Sequence, residues 1–374
     1  MKVIIAGGGT GGHLFPGLAL AEEFRRRDNN TEVVFVGTEH GIEARIIPRE
    51  GYPIKFLRAE GIVGISFLKK LRASAKMVLS VIDSYRILKS VTPDIVIGVG
   101  GYASGALVLI AGMKSIPTMI HEQNSVPGLT NKMLGLIVRR ICVTYHESLS
   151  SFPMGRTFLT GNPIRSNILK GDRDAAFRLF SLDRDLFTIF IFGGSSGARS
   201  INRVMVEALN HLTDLKDRVQ FLHQTGEKDY EGIREAYRKT GVRGTVAPFI
   251  YQMAEAYAAS DVVISRAGAT TLAELTALGK PAILIPYPFA AGRHQEFNAM
   301  KLREMGAAYM VPDNEMKGET LAKAIRELYE NEAARSEMAK ASRGLGRPDA
   351  CGRIVDIALS LAKEGMNSKT RTRR

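Results

Sequence analysis

Cysteine is scarce in this chain. Only Cys142 and Cys351 occur in 374 residues, which excludes a disulfide framework or a cysteine metal cluster. A reducing cytoplasm is the expected setting. No apolar run reaches the roughly 18 residues that span a bilayer. Lys2 leads through Val3-Ile-Ile-Ala6 straight into glycines, which is not the pattern of a secretory signal. Zinc-finger spacing, an RRM-type signature and basic segments interleaved with aromatics are all missing, so nucleic acid is not the expected partner. Acidic metal motifs are weak too. Asp172/Asp174 and Asp183/Asp185 form Asp-x-Asp pairs, but Arg173 and Arg184 stand between them in a charged connector. Solvated charges are expected there, and no short-period repeat is visible.

What is present fits an ordinary globular protein of about two domains, with 45% hydrophobic and 24% charged residues. The net charge of +13 points to an anionic partner, either a phosphorylated small molecule or an acidic membrane face. Part of that charge sits in the tail Lys369-Thr-Arg-Thr-Arg-Arg374, which is expected to be disordered.

Two strand-glycine-helix units stand out. Lys2–Ala6 runs into Gly7-Gly-Gly-Thr-Gly-Gly-His13, and Phe187–Phe192 runs into Gly193-Gly-Ser-Ser-Gly-Ala-Arg199. Glycines between a strand and a helix let the backbone approach an anion, and the helix start supplies N–H donors. Further strands are predicted at 32–37, 53–58, 94–99, 117–121 and 140–144, then at 218–223, 261–265 and 281–285, with helical stretches between. That alternation predicts an α/β chain of parallel sheets buried on both faces. The turn Gly161-Asn-Pro-Ile-Arg165 and the polar stretch to Asp185 read as the passage between domains.

Residues 7–12 satisfy G-x-G-x-x-G and Glu39 follows at a ribose-binding distance, a dinucleotide pattern that is weak alone. His13 stands where the helix begins, with Pro16 in its first turn. A histidine there tends to be neutral and able to accept a proton, with capping or packing as the plainer alternative. A third glycine cluster, Gly98-Val-Gly-Gly-Tyr-Ala-Ser-Gly105, reads either as a site or as a tight connection. His121-Glu-Gln-Asn-Ser125 offers hydrogen-bonding side chains suited to sugar hydroxyls, or a polar turn. Glu274 follows Thr271 by three residues and reads as a ribose ligand or as part of a capping box. The loop Pro286–Asn298, ending in His294 and Gln295, is suited to closing on a ligand.

In order along the chain stand Gly8-Gly-Thr-Gly-Gly-His13-x-x-Pro16, Gly100-Gly-Tyr-x-Ser-Gly105, His121-Glu-Gln-Asn124 and Gly161-Asn-Pro-x-Arg165. They are followed by Gly193-Gly-Ser-x-Gly-Ala-Arg199, Arg266-x-Gly-Ala-x-Thr-x-x-Glu274 and His294-Gln-x-x-Asn298. Together these closely resemble the MurG family of bacterial peptidoglycan N-acetylglucosaminyltransferases. The resemblance implies a GT-B fold, two Rossmann-like domains whose parallel sheets face each other across a cleft. It places an acceptor and membrane domain at 1–162 and a UDP-GlcNAc domain at 163–349. A helix at about 350–363 packs back on the first domain, and 364–374 is left as a tail.

The implied reaction is inverting transfer of N-acetylglucosamine from UDP-GlcNAc to the 4-hydroxyl of undecaprenyl-pyrophosphoryl-N-acetylmuramyl-pentapeptide, without metal or cofactor. His13 would be the base. Donor-binding positions by the same resemblance are Thr10, Gly11, Gly12, Asn124, Arg165, Ser195, Ile250, Ala269, Thr270, Thr271, Glu274, His294 and Gln295. Among them Arg165 and Ser195 would meet the diphosphate, the Ile250 backbone the uracil and Glu274 the ribose. Gly8, Gly9, Gly101, Tyr102 and Ser104 would hold the acceptor. A lipid-linked acceptor implies a peripheral enzyme on the cytoplasmic face of the cell membrane, and leaves room for other cell-wall synthesis proteins as partners. Ile62–Leu68, followed by Lys69, Lys70, Arg72 and Lys76, suits contact with an anionic membrane surface, or else a helix docked on its own domain. The rival readings are a UDP-N-acetylglucosamine 2-epimerase, a dinucleotide oxidoreductase and a non-catalytic nucleotide-sugar-binding subunit.

Overall fold

In the computed structural model the described residues are 1–58, 67–194 and 197–372, with side chains described for 1–58, 79–194 and 197–366. Ser195 therefore lies outside the described residues, as do the side chains of the predicted membrane segment Ile62–Leu68 and of Lys69, Lys70, Arg72 and Lys76. The chain forms two compact units, one of residues 1–165 with 348–374 and one of residues 166–347.

The first unit is built on β1 (Lys2–Ala6), β2 (Glu32–Gly37), β3 (Ile54–Phe56), β4 (Ile95–Gly98), β5 (Thr118–Glu122), β6 (Arg140–Val143) and β7 (Thr157–Leu159). They lie in the order β3-β2-β1-β4-β5-β6-β7, and every pairing is parallel. Val3, Ile4, Ile5, Ile95, Val96 and Ile97 are all fully buried. Alternate residues of one strand therefore serve two cores: Ile5 and Ile97 pack on one face, Ile4 and Val96 on the other. This explains why the strands read as unbroken apolar runs.

The second unit holds β8 (Phe187–Phe192), β9 (Val219–Gln224), β10 (Arg243–Ala247), β11 (Val262–Ser265), β12 (Ala282–Leu284) and β13 (Tyr309–Met310). Their order is β10-β9-β8-β11-β12-β13, again all parallel. In both sheets the strand order reverses beside the first strand, between β1 and β4 and between β8 and β11. Loops leaving two such strands diverge to opposite faces and open a crevice at the carboxyl ends. All three glycine clusters lie on loops that leave these reversal strands.

The last helix departs from expectation. It runs Ala350–Thr372, past the expected end at 363 and through most of the segment expected to be disordered. Ile354, Val355, Ala358 and Leu361 bury in the first unit's core beside Leu18 and Ile97. Beyond 363 no proline interrupts the helix, and Glu364 pairs with Arg140 at 3.0 Å. The Asp-x-Asp residues serve structure: Asp172 caps the helix Arg173–Phe180 through the Ala175 N–H at 2.6 Å, and Asp183 pairs with Arg243 at 3.0 Å.

Candidate active site

At the reversal point of the first sheet, the loop after β1 and the loop after β4 lie backbone to backbone. A Cβ on Gly7 would stand 2.7 Å from the Gly100 carbonyl oxygen, and one on Gly101 would stand 2.6 Å from that of Gly8. The first and third glycine clusters are thus one structure, an adjacency that sequence spacing does not reveal. The helix Gly11–Arg27 starts here with no side-chain cap and no acid in its first turn. His13, half-buried, points its Nδ1 at the Gly8 carbonyl at 3.2 Å, with Thr10 Oγ1 at 3.4 Å. A carbonyl only accepts, so Nδ1 carries the proton in that bond. The neutral ring then has its lone pair on Nε2, which with Cδ2 forms the ring edge beside Gly100.

Behind this loop sits a carboxylate that the sequence reading overlooked. Glu43, 1% exposed, accepts from the Gly9 N–H at 2.8 Å, the Thr38 N–H at 2.9 Å and the Thr38 hydroxyl at 3.0 Å. The exposed Glu39, singled out by the dinucleotide pattern, is not the acid at the loop. The Gly9 amide is consequently engaged from within. Gly9, Thr10, Gly11, Gly12 and Tyr102 remain at or near the surface. Ser104 does not: it is fully buried against Gly98, so it is closed off as an acceptor ligand.

The polar segment at the end of β5 also differs from expectation. His121, Glu122 and Gln123 are all buried and face inward. Glu122 accepts from the Asn124 and Gly128 N–H groups and from Asn131 Nδ2, at 2.9, 3.1 and 2.8 Å. Gln123 donates to the Val99 carbonyl at 2.8 Å and to His121 Nδ1 at 3.1 Å, leaving His121 Nε2–H to donate to Gly161 at 3.0 Å. Gln123 thus braces the third glycine cluster, Glu122 the turn that follows β5 and His121 the turn at Gly161, and Asn124 alone of the four reaches the surface.

Arg165 departs more sharply. It belongs to the first unit, where Glu22 takes its Nε at 2.8 Å and Glu50 takes both terminal nitrogens at 3.2 and 2.8 Å. A cation already held by two carboxylates is not poised for a diphosphate.

In the second unit the loop after β8 leads to the helix Arg199–Asn210, and the loop after β11 leads to the helix Ala269–Leu278. Neither helix start has a side-chain cap. Gly197 needs its glycine: φ is +74° and a Cβ would press to 2.2 Å on the Thr225 carbonyl. Buried Gln224 ties two segments together, donating to the Gly194 carbonyl and accepting from the Ile250 N–H, each at 2.9 Å. Arg266 rivets others, donating to the Ile285 and Pro286 carbonyls at 3.1 Å, to Ser200 at 2.7 Å and to Asp313.

Ala269, Thr270 and Thr271 form the first turn of their helix, so Thr271 lies inside it and cannot head a capping box. Glu274, one turn on, accepts from the Tyr257 hydroxyl at 2.8 Å. Burial, and then the Glu274 charge, push the Tyr257 hydroxyl well above its ordinary value, so it stays a donor. His294 opens the helix His294–Glu304 with Nδ1 2.7 Å from the Ala291 carbonyl, and Gln295 accepts from the Tyr287 N–H at 2.9 Å.

Comparison with known proteins decides the family. Residues 3–143 match the glycosyltransferase family 28 N-terminal domain, and residues 188–354 match the family 28 C-terminal domain. The chain belongs to glycosyltransferase family 28. A family relative from Thermodesulfovibrio yellowstonii is 50% identical, covering 97% of this chain and 99% of its own. One from Myxococcus xanthus is 47% identical, covering 100% and 96%. Both are named UDP-N-acetylglucosamine–N-acetylmuramyl-(pentapeptide) pyrophosphoryl-undecaprenol N-acetylglucosamine transferase. Among solved structures, Acinetobacter baumannii MurG is similar with a TM-score of 0.74 and 30% identity, covering 95% of this chain and 98% of that one. The UDP-GlcNAc 2-epimerase of Neisseria meningitidis has a TM-score of 0.69 but 13% identity, covering 96% and 100%. That second likeness is one of fold alone. The family 28 enzyme therefore has the GT-B fold, two Rossmann-like domains with parallel sheets.

Two buried histidines give the fold a pH dependence. Burial lowers His121 to about 4, against a smaller opposing effect of its Gly161 bond, and lowers His223 to about 3. Both are neutral when folded, whereas the unfolded chain takes up their protons below about pH 6.5. Stability is therefore expected to be full above that value and to fall as pH drops toward the folded values. The slope approaches about 1.4 kcal/mol per pH unit for each histidine. Urea unfolding at pH 7 and pH 5 measures this, and equal midpoints would contradict it.

Proposed function

We propose that this family 28 enzyme moves N-acetylglucosamine from UDP-GlcNAc to the 4-hydroxyl of undecaprenyl-pyrophosphoryl-N-acetylmuramyl-pentapeptide, with inversion, on the cytoplasmic face of the cell membrane. The observation that carries the chemistry is His13, held by Gly8 so that its Nε2 is the basic atom. Nε2 takes the proton of the acceptor hydroxyl while that oxygen bonds to the anomeric carbon of the donor. The bond from that carbon to the diphosphate breaks on the opposite side, and UDP leaves with the electron pair. The relatives' shared name supports the substrate pair.

The donor belongs to the second unit in this reading. The uncapped helix starts at Arg199 and Ala269 and the glycine loop at 193–198, with Ser195, meet the negative charge that builds on the departing diphosphate. The Ile250 backbone takes the uracil. The Ile250 N–H is already given to Gln224, so its carbonyl is the group assigned to the base. Glu274, steadied by Tyr257, takes the ribose, and Thr271, His294 and Gln295 take the sugar. The acceptor belongs to the first unit, around Gly8, Gly9, Gly101 and Tyr102. Replacing His13 by alanine is expected to cut turnover by about 10²–10⁴, with UDP-GlcNAc affinity nearly intact. The assay is UDP release with the lipid-linked acceptor. Unchanged turnover would remove His13 as base, and no UDP release by the unaltered enzyme would remove the reaction.

Reaching a lipid-linked acceptor requires contact with the membrane. Among the described residues no helix is long and apolar enough to cross one. Met113, Leu129, Met133 and Leu136 are exposed by 75, 66, 65 and 71%, on or beside the packed helices Tyr102–Met113 and Leu129–Leu134. Lys114 and Lys132 stand next to Met113 and Met133 in the chain, and Arg139 follows Leu136 by three residues. Apolar side chains flanked by cations suit an anionic lipid interface. Sedimentation with anionic vesicles is expected to recruit the protein at low salt and to fail for Met133→Ser/Leu136→Ser. Equal recruitment of both proteins would rule this surface out.

A further inference from the structure

We propose that Glu43 is a positioning residue for the transfer: it fixes the Gly8–Gly9 peptide plane and, through it, the tautomer of His13. This rests on the reading of His13 as the base. The geometry is a relay across one peptide group. The Gly9 N–H donates to Glu43 Oε2 at 2.8 Å, and the Gly8 carbonyl accepts from His13 Nδ1 at 3.2 Å. That N–H and that carbonyl belong to the same peptide unit, which is planar, so holding one end aims the other.

A peptide between two glycines turns over more readily than any other, because no Cβ resists the change. Turned over, it would present an N–H to His13 Nδ1. The ring would then accept at Nδ1 and carry its proton on Nε2, and the base would be lost. Glu43 prevents this.

The surroundings fit that single purpose. A carboxyl group so deeply buried is costly without donors, and Glu43 has three, all from the two loops it joins. A Cβ on Gly8, Gly37 or Gly41 would come within 2.3, 2.5 and 2.1 Å of the Glu43 side chain. The carboxylate is therefore gripped on several sides by backbone. Glycine at position 8 is required by this internal acid, whatever ligand the loop meets on its outer side. Glu43 also opens the helix Glu43–Arg49, where an acid suits the helix start.

The test compares Glu43→Met, which removes the acceptor, with Glu43→Gln, which can still turn a carbonyl oxygen toward Gly9. Each is read by thermal melting, by steady-state kinetics and by ¹⁵N NMR of the His13 ring. Glu43→Met is expected to shift His13 away from the Nδ1–H tautomer and to lower kcat by about 10²-fold, in line with misplacement of a reacting group. KM for UDP-GlcNAc should stay unchanged, and Glu43→Gln should recover most of the loss. Where Glu43→Met does not fold, Glu43→Asp, one methylene short of Gly9, is read in its place with the same expectation.

A folded variant with the original His13 spectrum and original kcat would overturn the proposal. So would Glu43→Gln as impaired as Glu43→Met, because the role would then be one of charge. The two readings fail separately. Full turnover in His13→Ala together with an altered His13 spectrum in Glu43→Met removes the base and leaves the relay. An inactive His13→Ala beside an unaffected Glu43→Met removes the relay and leaves the base.

Discussion

Two parallel sheets reverse their strand order beside their first strands, and that constraint decides where everything else can go. At each reversal, neighbouring strands send their chains to opposite faces, so backbone at the carboxyl ends is left without a neighbouring helix. Only glycine allows the loops that start there to lie as close as Gly7 does to Gly100, or Gly197 to Thr225. The helices that follow begin without side-chain caps at Gly11, Arg199 and Ala269. Helix starts left uncapped beside glycine backbone favour anions. An enzyme that handles a nucleotide diphosphate and a lipid pyrophosphate needs two such places.

The two reversals are furnished differently. In the first unit, charged and amide side chains are spent inward: Glu43 and Gln123 brace the loops that carry His13 and Tyr102, while Glu122 and His121 hold the turns at Gly128 and Gly161. In the second, Gln224 and Arg266 perform the bracing and leave Thr271, Glu274, His294 and Gln295 nearer the surface. Such bracing matters because a transfer reaction gains rate from groups already in place when charge develops.

Much of this was legible in the sequence because it is written in local patterns. Glycine after an apolar strand located both reversal points, and the ordered motifs from Gly8 to Asn298 carried the family. The edge strands β7, β10 and β13 escaped because β7 and β13 are only three and two residues long and β10, Arg243-Gly-Thr-Val-Ala247, lacks the apolar run of the central strands. Other misses were failures of direction. His121 and Glu122 close β5 and Gln123 follows it, where ligands would stand, yet both faces of this strand are covered, so all three are buried. Arg165 belongs to a family motif, but pairing with Glu22 and Glu50 depends on residues more than a hundred positions away. Glu43 could have been suspected from the glycines at 37 and 41 around it, which otherwise lack a reason.

The central claim is the division of substrates, donor on the second unit and acceptor on the first. It is tested most directly by titrating UDP into the ¹⁵N-labelled full chain and following the backbone amides. The account predicts shifts concentrated at Gly193, Gly194, Gly197, Ile250 and Ala269–Glu274. Shifts centred instead on Gly7, Gly8, Gly9 and His13, with the second unit unchanged, would contradict it.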